Sequence, residues 1–107
     1  MSTYTPFMPK KGGNQKVSAT TTSAAITIGK GNKSLRVINA GANVTYFRTY
    51  KASDGAETCT NADTPVAVSG AAGSALVIEK PEDHDTVSYL AETGATVMHF
   101  TPGEGGC

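Results

Sequence analysis

The chain is expected to fold as one all-β domain: a small antiparallel sandwich or jelly-roll-like barrel of about eight short strands, preceded by an extended N-terminal arm. Three features of the sequence predict it. Short runs are rich in β-branched and aromatic residues, side-chain polarity alternates with period two inside them, and Gly, Pro, Asn or Asp bounds each one. A length of 107 residues holds one domain, with a core that is marginal alone. Leu, Ile, Val and Phe together number 18 and Trp is absent, so added stability is expected from a partner or from self-association.

Strands are read at 15–19, 24–29, 34–39, 43–50, 65–69, 74–80, 85–91 and 95–101. In 43–50, Val44, Tyr46, Arg48 and Tyr50 share one face and Thr45, Phe47 and Thr49 the other, which fits a strand and not a helix. Two segments are apolar on both faces. Met98 and Phe100 oppose Val97 and His99, and Leu76 and Ile78 oppose Val77, a surplus that suits a subunit interface or the strand ends of a small barrel. The turns 29–32, 39–43 and 70–73 carry the glycines that positive φ angles require. The polar stretch 51–64 is the longest connection and is expected to be an exposed loop.

Residues 1–14 form the arm, with residues 15–107 as the β domain. Pro6, Pro9, Gly12 and Gly13 break regular structure there, while Tyr4, Phe7 and Met8 are apolar groups without periodic context. Such a segment is either an inconsequential terminus or an anchor. Aromatic rings beside lysines favour the anchor, and the candidate partner-binding residues are Tyr4, Phe7, Lys10, Lys11 and Lys16.

Charge is segregated along the chain although its sum is zero. Residues 1–51 carry eight basic side chains and no acidic one, whereas residues 52–107 carry Lys80 against nine acidic groups. Either the two halves interleave and the charges mix over one surface, or a basic region meets an acidic partner or the acidic part of an identical neighbour. Nothing resembles a nucleic-acid recognition motif, no segment has the run of about 18 apolar residues that a membrane span needs, and the start lacks the pattern of a secretory signal. Synthesis in the cytosol follows, and in that reducing environment Cys59 and Cys107 are expected as free thiols.

The search for chemistry yields little. His84 and His99 have no Cys or carboxylate at ligand spacing on a shared element. In Asp83-His84-Asp85 three successive side chains diverge, so an exposed turn is expected and not an ion site. Gly29-Lys30-Gly31 lacks the spacing of a phosphate loop, and no nucleophile elbow occurs. Neither a catalytic site, a metal nor a cofactor is expected.

The stretch Leu35-Arg-Val-Ile-Asn-Ala-Gly-Ala-Asn-Val-Thr-Tyr-Phe-Arg48, then Thr64-Pro-Val-Ala-Val68, then Phe100-Thr-Pro-Gly-Glu-Gly-Gly106 resembles small virion proteins of tailed bacteriophages, specifically capsid decoration or cement subunits. The resemblance spans about residues 34 to 106 and rests on strands and turns. It implies a non-enzymatic structural protein made in the host bacterial cytoplasm. In the virion it binds the outside of the shell as a homo-oligomer, a dimer or trimer, with the major capsid protein as partner. It brings no catalytic residues. The alternatives are a head-completion or tail component, and a β-sandwich carbohydrate-binding or adhesion module displaying Tyr46, Tyr50 and Tyr89.

Overall fold

The computed structural model of the chain describes residues 7–55 and 57–104. Among them nine strands occur: β1 (Met8–Pro9), β2 (Gln15–Ala19), β3 (Ala24–Thr27), β4 (Ser34–Asn39), β5 (Thr45–Tyr50), β6 (Thr64–Val66), β7 (Ala75–Glu79), β8 (Thr86–Ala91) and β9 (Thr96–Glu104). The one helical element among the described residues is a 3₁₀ turn at Ala52–Asp54. β1 and β2 lie end to end along β9, which pairs on its other side with β4, and β4 with β7. The second sheet has the order β3-β8-β5-β6, and every ladder in both sheets is antiparallel. From β2 onward the chain crosses from sheet to sheet at each connection except β5 to β6, which gives two four-lane layers with jelly-roll connectivity.

That connectivity revises the role of the turns. The glycine-bearing turns after β3, β4 and β6 are corners between sheets, so none of them closes a hairpin. Gly29, Gly31, Gly70 and Gly73 do adopt positive φ. Gly41 does not: its glycine is required by space, because a Cβ there would collide with the side chain of Thr96. Asn39 organises the same corner. Its buried side chain donates to the Asn43 carbonyl at 2.7 Å and accepts from the Gly41 amide at 2.9 Å.

Every ladder joins a strand from the first 51 residues to one from the remainder. The oppositely charged halves of the sequence therefore interleave strand by strand. Lys33 meets Glu82 at 3.5 Å, Lys51 meets Asp83 at 4.0 Å, and Arg48 meets Glu57 at 3.2 Å and Asp63 at 3.4 Å. The two lysine pairs are exposed and worth about 0–1 kcal/mol each, so they mark where the halves meet more than they hold the fold, whereas Asp63 in the Arg48 pair is largely covered.

The core lies between the layers. Val17, Leu35, Val37, Met98 and Phe100 face inward from the first sheet, and Phe47, Val66, Val87 and Tyr89 from the second. The Phe100 ring stands 6.3 Å from that of Phe47 and 5.7 Å from that of Tyr89, centroid to centroid, and so joins the two layers. Lys80 is an unexpected member of the interior. Its ammonium donates to the carbonyls of Asn32 at 2.7 Å and Pro81 at 3.3 Å, and burial lowers its pKa against the pull of nearby carboxylates.

The expected exposed loop at 51–64 is only partly that. Residues 51–55 are surface, but beyond them the segment folds over the outer face of the second sheet. Cys59 there is 2% exposed, and its amide donates to Ser23 Oγ at 2.9 Å. Burial, then the adjacent Asp63 carboxylate, pushes the Cys59 thiol from 9.0 up to about 12. The thiolate fraction near pH 8 thus falls about 1000-fold relative to an ordinary thiol. Alkylation of Cys59 in the folded protein should be slower by at least that factor than in urea, as followed by mass spectrometry; equal rates would show that the segment does not cover it. Because the folded pKa is raised, the stabilising contribution is complete below pH 9 and is lost as the pH climbs toward 12.

Candidate functional site

The outward faces of the two sheets differ. On the second sheet, Tyr50 and Ser88 face outward yet are buried, at 5% and 1% exposure, beneath Glu57 and Thr58 of the long connection. The outward face of the first sheet carries apolar side chains without comparable cover from the described residues. Across its four lanes runs a row of Lys16, His99, Ile38 and Ala75, and a neighbouring row of Thr101, Arg36 and Val77, with Val97 next to Ser18. Ile38, Val77, Val97, Arg36 and His99 are half-buried, and Lys16, Ser18 and Ala75 are exposed. The inward members of the same strands are Met98, Phe100, Leu76 and Ile78, so the apolar surplus anticipated in these strands falls on this face. Ile38 gave no comparable signal, because Leu35-Arg-Val-Ile has no clean alternation.

The N-terminal segment closes one end of the face. Residues 8 and 9 pair with Glu104 and Gly103, and the Lys10 amide donates to the Pro102 carbonyl at 2.8 Å. The expected arm of residues 1–14 is thus part of the first sheet from residue 8 onward; Pro9 sits where an edge strand tolerates a missing amide hydrogen. The Phe7 ring covers Gly103, with the Arg36 guanidinium 5.3 Å above the ring centroid. Asn14 seals the next row, donating to His99 Nδ1 at 3.1 Å and accepting from the Thr101 hydroxyl at 2.8 Å. Arg36 Nε is buried and has no hydrogen-bond partner among the described residues.

The candidate partner-binding residues are therefore not gathered on one surface. Phe7 lies on the outer face against Arg36, and Lys16 lies on the same face beside His99. Lys10 turns the other way, its ammonium reaching 3.8 Å from the position of a Cβ on Gly29. Lys11 is exposed in the turn between β1 and β2, and Tyr4 lies outside the described residues, as does Cys107. Phe7 acts first as an internal fastener: a methyl group on Gly103 would sit 2.8 Å from its ring and closer still to the Met8 carbonyl. Gly103→Ala should detach β1 and cost about 1–3 kcal/mol in urea denaturation, with faster tryptic cleavage after Lys10 and Lys11. Unchanged stability and cleavage would show that the docking contributes nothing.

The side chains of the acidic turn make contacts within the fold. Asp83 faces Lys51, His84 Nδ1 is hydrogen-bonded to Thr49 Oγ1 at 2.9 Å, and Asp85 accepts the Ala52 amide at 3.0 Å, a bond that leads the lowering of its pKa. No group of three or more His, Cys, Asp or Glu side chains converges among the described residues. Of the tyrosines that an adhesive platform would need, Tyr89 faces the core at 8% exposure, Tyr50 is covered and Tyr46 is half-buried. No helix among the described residues is long and apolar enough to cross a membrane. Comparison with protein-family models, with curated proteins and with solved structures returns no match for the chain.

Proposed function

We propose that this protein is a non-enzymatic structural subunit of a tailed-phage particle, binding the outer surface of the capsid through the major capsid protein and reinforcing the shell. The observation that carries the reading is the outer face of the first sheet, where half-buried Ile38, Val77 and Val97 lie among Lys16, Arg36 and His99. Apolar side chains set beside the charges of Lys16 and Arg36 suit an acidic protein surface: the apolar groups supply affinity and the charges supply orientation and encounter rate. Jelly-roll layers occur in viral shell proteins as well as lectins, so the fold alone decides nothing and the argument rests on the face. Many copies on a lattice need only a modest affinity each. The resemblance of residues 34 to 106 to decoration subunits points the same way.

Co-sedimentation of the purified protein with empty shells lacking it tests the reading. Saturation at hundreds of copies per particle, with improved heat resistance of the shell, is the expected result. About a dozen copies or fewer would assign it to the head-completion or tail apparatus, and absence of binding would overturn the reading.

A further inference from the structure

The sandwich has four lateral edges, and they are not equally guarded. The β1/β2 edge carries Pro9, Lys10, Lys11 and Lys16, the kind of residues that discourage pairing with another chain. β6 is three residues long with Pro65 at its centre, and β3, though it too lacks Pro, Gly and Lys, is four residues long with Ile26 as its one large apolar side chain beside exposed Ala24, Ala25 and Thr27. β7 is different. Ala75-Leu-Val-Ile-Glu79 has three large apolar residues in succession, pairs among the described residues with β4 alone, and leaves Leu76, Val77 and Ile78 half-buried. Beside it an open groove of about 510 Å³ is lined by Ile78 on one side and by Phe47, Thr64 and Pro65 of the second sheet on the other.

We propose that β7 is a self-association edge: it pairs antiparallel with β7 of a second copy, about a two-fold axis through Val77. The register follows from the sequence of the strand. Centred on Val77, all five residues are paired: Val77 meets its own equivalent on the outer face, Leu76 meets Ile78 on the inner face, and Glu79 meets Ala75. Side chains facing each other across an antiparallel pair must share a face, so the register can slide only by steps of two. One such step leaves three pairs. A further step in one direction sets Glu79 against Glu79, a like-charge contact that destabilises. The strand is thus self-complementary in one register, and a two-fold contact of this kind closes as a dimer and does not grow into a filament. The product is one eight-lane sheet in which the two outer faces, each with Ile38, Val77 and Val97, become continuous. Leu76 and Ile78, each half-buried in one copy, gain an apolar neighbour across the seam. The pairing does not depend on the capsid reading, and it is measured without shells.

The test uses the full chain carrying Cys107→Ser, with Cys59 left in its buried place. Sedimentation equilibrium is expected to show a dimer at micromolar concentration. Adding Val77→Cys brings two thiols onto the axis, where facing Cβ atoms lie about 4.5–5.5 Å apart, near the span of a disulfide. Mild oxidation should then cross-link most of the protein. Ala75→Cys is the control, because the two equivalents lie ~14 Å apart along the strands and should stay uncoupled. Val77→Lys, which sets two ammonium groups face to face, should give a folded monomer by sedimentation and far-ultraviolet circular dichroism. A monomeric parent, a dimer that Val77→Cys does not cross-link, or equal cross-linking at Ala75 would each overturn the proposal.

Discussion

Phe100→Ala is expected to remove about 3–5 kcal/mol of stability, the range for deleting a buried phenylalanine side chain. A domain of this length has roughly 5–15 kcal/mol in total, so the variant should be partly or wholly unfolded at physiological temperature. The size follows from position. Phe100 is fully buried, stands in β9 where that strand meets both β2 and β4, and is the ring that contacts Phe47 and Tyr89 of the other sheet. The layers have few large side chains with which to close the gap, since the chain has three phenylalanines and no tryptophan. Urea denaturation followed by circular dichroism measures the effect. Met98→Leu, equally buried but close in volume, should cost less than about 1.5 kcal/mol and serves as the control. Similar midpoints for the two variants would mean that the core does not depend on the aromatic cluster.

How far the fold was legible depends on the range of the interactions. β2 and β4 coincide with the predicted 15–19 and 34–39, because β-branched residues and bounding Gly or Asn act within a few residues. β1 carries no local signal: Met8-Pro9 has no alternation, and its pairing with Gly103 and Glu104 lies almost a hundred residues away. The same distance hid the lanes. Nothing local to β4 states that β9 and β7 flank it, yet that arrangement mixes the charged halves and turns the glycine-rich turns into corners. Two-sided apolarity at Val97, Met98, His99 and Phe100 announced a surface with something to cover, but whether Met98 or Val97 faced the core was decided by β2 and β4. The residues around Cys59 are polar and carry no strand signal. The anchoring of Cys59 to Ser23, on a distant part of the chain, is nothing that local composition can show.

The combined substitution Ile38→Glu and Val97→Glu is expected to weaken shell binding at least ~100-fold while leaving the domain folded. Both side chains point away from the core, and their half-burial comes from neighbours on the same face, so charging them removes apolar groups from the face without opening a cavity. Losing two contacts of somewhat more than 1 kcal/mol each, typical of central interface positions, already amounts to about two orders of magnitude in affinity. If the bound surface is acidic, as the proposed function holds, the new carboxylates add repulsion. Lys16→Glu should act differently: as an exposed charge it should slow association and reduce the salt dependence of binding more than it speeds dissociation. Ala25→Glu, exposed on the second sheet, should do neither. Surface plasmon resonance on immobilised shells separates the rates, and a melting curve of each variant shows that the fold persists. Full binding by the Ile38→Glu, Val97→Glu protein would move the attachment surface off the first sheet. Loss of binding by Ala25→Glu alone would place it on the second, where the 57–63 segment would then have to be displaced from Tyr50 and Ser88 for contact to occur.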